Sequence, residues 1–173
     1  RFGVPLLVDN AHGSHLKFLK SPAPLHPLEM GADLCCDSLH KTLPVITGGA
    51  LLQVAGEDFL SRAKEAMSLF GSTSPSYLIM LSAAACLEEL EDSLPARMEE
   101  TVHQVEGLKQ LAREKGFLLP DFPCDPMRLT LCLSPGGISG KAFDIHLKNH
   151  DIQAEFVSDS GCVLLFSPYN SSQ

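Results

Sequence analysis

The residues Leu-Leu-Val-Asp-Asn-Ala-His-Gly at positions 6–13 and Gly-Ala-Asp-Leu-Cys-Cys-Asp-Ser-Leu-His-Lys-Thr-Leu-Pro at positions 31–44 contain the pattern that decides the fold. In each stretch a short apolar run ends abruptly at an aspartate, Asp9 in the first and Asp37 in the second. A third apolar run covers residues 50–54. Continuous runs of this length are typical of strands buried on both faces of a parallel sheet. Polar residues that follow such strands lie at the sheet edge where open α/β folds bind their ligands.

Downstream of these strands the apolar residues follow helical spacing. Three helices are predicted, at residues 57–69, 77–90 and 95–115. The second is apolar on almost every side, which indicates burial against another layer or another subunit. Gly116 predicts the end of the third helix.

The last part of the chain changes to short alternating segments. A strand is predicted at 128–134, a helix at 139–149 with Ser139 as its N-cap, and further strands at 152–157 and 162–166. This order predicts a small α+β layer. We therefore expect an α/β large-domain part at residues 1–100 and a small C-terminal α+β domain at residues 101–173.

The overall composition excludes several classes of protein. Of the 173 residues 45% are hydrophobic and 20% charged, which is the range of globular domains rather than of disordered chains. With 13 basic against 21 acidic residues, the formal net charge of -8 argues against nucleic-acid and membrane partners. No apolar run reaches the roughly 18 residues of a membrane span. We expect a cytoplasmic protein with six free cysteine thiols and no metal site.

A carboxylate follows the first strand and a lysine follows the second, each with a histidine near it. Asp9 and His12 form the first pair, and His40 and Lys41 form the second. Neighbouring parallel strands lie about 4.8 Å apart, so side chains after both strands can reach the same small ring. An aspartate for a pyridinium nitrogen and a lysine for a covalent bond to an aldehyde are the protein groups that pyridoxal phosphate (PLP) requires. From spacing alone, a solvated loop lysine and a strand-end cap are equally good interpretations of Lys41 and Asp9.

Four segments of the chain resemble the Orn/Lys/Arg decarboxylase family of fold-type-I PLP-dependent enzymes. They are residues 6–13, residues 31–44, Ser-Thr-Ser-Pro-Ser-Tyr at 72–77, and the tail at 125–170. The resemblance implies the C-terminal part of a fold-type-I large domain, with a mostly parallel sheet and helices, followed by a small α+β domain. It also implies decarboxylation of a small-molecule basic amino acid (arginine, lysine or ornithine) to give a di- or polyamine precursor.

The same resemblance implies a role for individual residues. Lys41 would carry the cofactor, Asp9 would keep its pyridine nitrogen protonated, and His12 would lie near its phenolic oxygen. Ala11 would pack on one face of the ring. Ser38 and His40 would lie at the phosphate end.

The segment at 72–77 implies a partner subunit. Ser72 and Ser74 would reach the phosphate bound to the neighbouring subunit, so that a homodimer or higher homo-oligomer would have composite sites. As an alternative from the sequence alone, Ser72-Thr73-Ser74-Pro75 is only an N-cap before a helix.

Some features depart from the family pattern. Asn10 stands where many relatives have an acid, and Thr47-Gly48-Gly49 replaces the more usual glutamine and small hydroxyl residue. The chain begins at Arg1 directly before a strand, from which we expect a piece of a longer protein without the upstream half of the pocket, inactive by itself.

Other functions stay open at this point. An aminotransferase or lyase of the same fold needs the same aspartate and lysine, usually with an arginine for the substrate carboxylate; Arg128 is the candidate, and its place looks structural. Glu155 aligns with a family acid that could face a cationic substrate tail, or is a solvated strand residue. A non-catalytic fragment is the third alternative.

Overall fold

The computed structural model describes residues 3–20, 25–133 and 137–170. The chain divides into two compact units, Arg1–Pro95 and Ala96–Gln173. The sequence places the domain boundary a few residues later, between positions 100 and 101, within the same long helix.

The first unit is built on a three-stranded sheet in the order β1 (Leu7–Asp9), β2 (Leu34–Asp37), β3 (Leu51–Val54). β1 and β2 are parallel, as the apolar runs predict, and Asp9 pairs with Cys36 in the register. β3 is antiparallel to β2, which departs from the expected parallel run. The connection between β2 and β3 contains only one short helix, α1 (Leu39–Thr42), rather than the long crossover helix that usually joins parallel strands.

One face of this sheet is covered and the other is not. Cys35 and Asp37 of β2 are 1% exposed, whereas Cys36 between them is exposed. Leu7 of β1 is 67% exposed. The sequence predicts strands covered on both faces, but in the part of the chain that the structure describes only the Cys35 face has a cover.

The three predicted helices are confirmed as α2 (Glu57–Phe70), α3 (Tyr77–Glu91) and α4 (Leu94–Glu114). α2 begins with two acidic residues, which suit the positive end of its dipole. The N-cap of α3 is Ser76, whose hydroxyl accepts a hydrogen bond from the backbone N–H of Ile79 at 3.4 Å. Gly116 follows α4 with a φ of +85°, the left-handed conformation that ends many helices.

The second unit is a small α+β layer, as predicted. Its antiparallel sheet has the order β4 (Arg128–Cys132), β6 (Gly161–Leu165), β5 (Phe156–Val157). The helix α5 (Gly140–Lys148) begins at Ser139, whose hydroxyl accepts a hydrogen bond from Ala142 N–H at 3.2 Å, so the predicted N-cap is confirmed. β5 is shorter than the predicted strand at 152–157, and residue 134 of the predicted first strand lies outside the described residues.

The core of the second unit combines side chains of β4, β6 and α5. Its buried members are Leu129, Leu131, Leu133, Leu147, Ala154 and Cys162. Among the described helices of the whole chain, none has the length and apolar character to cross a membrane.

Candidate functional site

The carboxyl ends of β1 and β2 lie side by side and bring the predicted site residues to one sheet edge. The N–H of Asn10 donates to the carbonyl of Cys36 at 2.9 Å, which extends the ladder one residue beyond Asp9. The chain then turns, closed by a hydrogen bond from Gly13 N–H to the carbonyl of Asn10 at 2.8 Å, and enters a 3-10 helix (Ser14–Phe18). This turn positions Ala11 and His12.

Lys41 reaches this turn from the second strand. It lies on α1, where its N–H donates to the carbonyl of Ser38 at 3.1 Å. Its side chain is exposed, and Nζ lies 3.3 Å from Nε2 of His12, within hydrogen-bond range. Among the described residues Nζ has no carboxylate partner. The structure therefore brings Lys41 and His12 together, as the sequence predicts for the two strand ends.

Asp9 has one carboxylate oxygen in use and one available. Oδ1 accepts the N–H of Ala11 at 3.0 Å, which fixes the direction of the carboxylate. Within residues 3–20, 25–133 and 137–170, no donor contacts Oδ2. Because the side chain is exposed at the same edge as Lys41, Oδ2 is free to accept a hydrogen bond from a ligand.

Of the two residues predicted at the phosphate end, His40 is hydrogen-bonded to the backbone, whereas the hydroxyl of Ser38 is not hydrogen-bonded to any described residue. Nδ1 of His40 lies 2.9 Å from the carbonyl of Gly49 and must donate to it, because a carbonyl only accepts. Only Nε2 of His40 is left for a ligand, and it must carry a second proton to donate to a phosphate oxygen. Ser38 is half-buried directly before α1, and its hydroxyl makes no hydrogen bond with the described residues. Their phosphate contacts stay predictions.

Ser72 and Ser74 lie in the exposed connection between α2 and α3. The hydroxyl of Ser72 accepts the N–H of Ser74 at 3.1 Å, so the two residues stabilise their own turn. The alternative N-cap interpretation does not apply to them, since Ser76 caps α3. No hydrogen bond in the described part of the chain joins either residue to Asp9, His12 or Lys41. Their predicted contact with a partner subunit stays a prediction.

A buried carboxylate network that was not predicted from the sequence lies directly beneath this edge. Asp37 accepts hydrogen bonds from Nδ2 of Asn10 at 2.6 Å, from Nε2 of His26 at 3.2 Å, and from Nε2 of Gln53. The thiol of Cys35 lies 3.8 Å from Oδ2 of Asp37. Nδ1 of His26 accepts the N–H of Leu28 at 3.4 Å, so the proton of its neutral ring is on Nε2, which faces Asp37.

This network leaves its polar groups satisfied. Asp37 and His26 are each 1% exposed, and burying such groups is tolerated only when their hydrogen bonds are made. Burial, and then the neighbouring Asp37, raise the pKa of the Cys35 thiol to about 11, so this thiol stays protonated. The donor atoms of His26, Cys35 and Asp37 lie within 4.8 Å of one another, which a metal ion could use, but all three already bond within the network.

The sequence contains one signal for this network. Asp37 is an acid at the end of an apolar strand, in the alternating position shared with the buried Cys35. A carboxylate on a covered face requires donors.

The residues of this edge match a known family. A family model described as "Orn/Lys/Arg decarboxylase, major domain" matches residues 1–118. The protein YaaO of Bacillus subtilis, described as uncharacterized, is 34% identical over an alignment of 178 positions that covers 96% of this chain and 36% of YaaO. An arginine decarboxylase of Halalkalibacterium halodurans is 28% identical over 85% of this chain and 32% of its own length. The chain thus spans about a third of the length of these curated relatives.

The fold also has a match among solved structures. A lysine decarboxylase of Francisella novicida superposes with a TM-score of 0.76 at 15% identity, over 96% of this chain and 30% of that chain. At this identity the likeness concerns the fold, which is that of fold-type-I PLP-dependent enzymes. The family match over residues 1–118 shows that the chain belongs to the Orn/Lys/Arg decarboxylase family.

Proposed function

We propose that the protein acts as a PLP-dependent decarboxylase of a basic amino acid, arginine, lysine or ornithine. The observation that carries the proposal is the placement of Lys41 and His12 in hydrogen-bond range beside Asp9 at one sheet edge. The family consists of enzymes, and its relatives are named for decarboxylation of arginine or lysine. A role in polyamine formation and a cytoplasmic location are part of the same proposal.

The residues at this edge fit PLP chemically. Lys41 is an amine without a carboxylate partner in the described chain, so it is available for a covalent bond to an aldehyde. The available oxygen of Asp9 can hold the proton on a pyridine nitrogen. When bound, PLP supplies an electron sink for the pair of electrons left at the substrate α-carbon.

The protein residues hold and direct the protons of the reaction. Asp9, oriented by Ala11 N–H, would keep the ring nitrogen of bound PLP protonated. His12 holds the amine of Lys41 in place when that amine is not covalently bound. The amine of Lys41 would also be available to return a proton to the substrate α-carbon after CO2 has left. Ser38 and the second ring nitrogen of His40 would hold the phosphate.

A second copy of the chain would complete the site. Ser72 and Ser74 are exposed and bond with each other, and α3 follows them with Tyr77 81% and Leu81 68% exposed. An apolar helix surface of this kind is favoured at a subunit interface. We therefore propose a homodimer in which the segment at 72–77 contacts the phosphate in the partner's site.

The alternative aminotransferase function has less support. Its candidate carboxylate ligand, Arg128, forms an ion pair with Asp125 at 3.1 Å, and both side chains are largely buried. This arginine therefore has a structural role in the second unit, as its place in the sequence suggests. Glu155 is exposed and stays a candidate for recognition of the cationic tail.

Trapping of the cofactor tests the proposal. The whole protein is incubated with PLP, reduced with borohydride and digested, and the modified lysine is identified by mass spectrometry. We expect the label on Lys41, its loss in Lys41→Arg, and its retention in the control Lys17→Arg, because Lys17 pairs with Glu29 outside the site. Release of CO2 from arginine, lysine and ornithine then identifies the substrate. A label on another lysine contradicts the assignment.

The shared site is tested with mixed dimers. Subunits carrying Lys41→Ala are combined with subunits carrying Ser72→Ala and Ser74→Ala. If the sites are composite, we expect part of the activity to return in the mixture, because one of its two sites then has both intact contributions. The absence of recovery in verified mixed dimers contradicts composite sites.

A further inference from the structure

We propose that Asp37 is a positioning residue for the site, which it controls through the side chain of Asn10. The proposal rests on the proposed function for its link to PLP, and on the geometry of the buried network for its mechanism. Asp37 and Asn10 do not need to touch the cofactor. They fix the turn at residues 10–13 from which His12 contacts Lys41.

The side chain of Asn10 is held from both sides. Its Nδ2 donates to Asp37 at 2.6 Å across the ends of the two parallel strands. On the opposite side its Oδ1 faces the backbone of Gly13: a Cβ placed on Gly13 would come closest to this oxygen and would lie 2.7 Å from Cγ of Asn10. The amide therefore has one position, and the turn packs directly on it.

Asp37 is itself immobile. It is 1% exposed, and it accepts hydrogen bonds from His26 and Gln53 besides Asn10. These donors come from the segment before β2 and from β3. A buried carboxylate with three donors ties the ends of β1 and β2 to the rest of the sheet. Moving any one donor away costs free energy, because the buried carboxylate then loses one of its hydrogen bonds.

Asn10 connects the buried network to the site. Asn10 stands between Asp9 and the turn that carries His12, and the N–H of Gly13 closes that turn on the carbonyl of Asn10 at 2.8 Å. A shift of the Asn10 side chain changes the turn, and with it the 3.3 Å separation of His12 and Lys41. Positions on this edge must hold to a fraction of an ångström for catalysis.

The geometry makes a charge-exchange experiment possible. In Asn10→Asp two carboxylates face each other across the 2.6 Å contact, so the hydrogen bond is replaced by repulsion. In the double variant Asn10→Asp with Asp37→Asn, the new amide donates to the new carboxylate. The oxygen of the new amide at position 37 still accepts hydrogen bonds from His26 and Gln53. Every hydrogen bond of the network is therefore kept, and only the one between positions 10 and 37 is reversed in direction. Asn149→Asp, at an exposed position in the second unit, is the matched control.

The readout that does not depend on cofactor is hydrogen exchange of the whole, cofactor-free protein. For the peptide covering residues 10–16, we expect exchange roughly tenfold faster or more in Asn10→Asp, as for loss of a charged hydrogen bond. Exchange within a factor of about three of the wild type is expected in the double variant and in Asn149→Asp. Exchange of residues 128–132 is the internal reference. If Asn10→Asp does not fold, Asn10→Ala removes the same hydrogen bond without repulsion.

The second readout is the affinity of the same proteins for PLP, measured by equilibrium dialysis. We expect it to fall roughly tenfold in the single variant and to return in the double variant.

Unchanged exchange in Asn10→Asp, or no recovery in the double variant, overturns the proposal. Unchanged PLP affinity despite faster exchange overturns it as well. A stoichiometric metal ion that Cys35→Ser removes also overturns it, since Asp37 would then be a ligand. If the wild type binds no PLP, the proposed function fails, while hydrogen exchange still decides whether Asp37 holds the turn.

Discussion

Replacement of Gly13 by alanine tests the packing of the turn at the candidate site. The backbone of Gly13 has a φ of -122°, a value that alanine also adopts, so its need for glycine is steric rather than conformational. An alanine Cβ would lie 2.7 Å from Cγ of Asn10, whereas ordinary contacts begin at 3.4 Å. Oδ1 of the same amide would lie closer still, so the amide must retreat by more than about 0.7 Å.

The magnitude follows from what that movement breaks. The amide is fixed by its 2.6 Å hydrogen bond to the buried Asp37, so it cannot retreat and keep this bond. Loss of a hydrogen bond to a buried charged group costs about 1.5–3 kcal/mol. With a urea slope of about 2 kcal/mol per molar, the midpoint of unfolding falls by about 1 M.

Urea unfolding of four proteins isolates the cause: wild type, Gly13→Ala, Asn10→Ala and the double variant. If the clash with the amide is the reason, Gly13→Ala costs nothing further once Asn10→Ala has removed that amide. Gly107→Ala is the control, because a Cβ there meets no atom within 4 Å. Equal costs of Gly13→Ala in the two backgrounds refute the reasoning, and so does an unchanged midpoint in the single variant.

Three further changes test the fold and the buried thiol. Ser139→Ala removes the N-cap hydrogen bond of α5 and should lower stability by about 1 kcal/mol in thermal unfolding, whereas Ser61→Ala inside α2 should not. Leu133→Ala empties a site that is 1% exposed and should cost about 2–5 kcal/mol, measured against Leu118→Ala at a 55% exposed position. Burial raises the pKa of Cys35 from 9.0 to about 11, so the unfolded chain ionises first as the pH rises. The contribution of this thiol to the free energy of unfolding is complete below pH 9 and falls by about 2 kcal/mol as the pH approaches 11. In urea unfolding, Cys35→Ala should therefore lose less stability at alkaline pH than the wild type.

The helices were predictable because their signals are local. α2, α3 and α4 follow from 3.6-residue spacing, and Gly116 and Ser139 mark helix ends by chemistry that acts within a few residues. The direction of β3 was not predictable in the same way. An apolar run is compatible with either direction, and the return after a four-residue helix decides for the antiparallel one.

The candidate site was partly predictable for a related reason. Asp9 ends β1, while His12 and Lys41 follow strand ends, and the rule for parallel sheets brings such residues to one edge. Gln53 reaches Asp37 only because β3 runs antiparallel, with Gln53 opposite Cys35 in the register. The expectation of a parallel β3 therefore also fails to identify Gln53 as a donor to Asp37.

The two halves of the site are held with different firmness, and this difference suits the proposed chemistry. Asp9 is fixed by the ladder bond of Asn10 N–H to Cys36 and by its own bond to Ala11. Lys41 lies on a one-turn helix, and in the described chain its amine contacts only His12. A ring-nitrogen partner must stay in place throughout a reaction, while a lysine that exchanges with substrate must move. Since His12 extends from the turn that Asn10 and Asp37 hold, the fixed half of the site also sets where the mobile lysine returns.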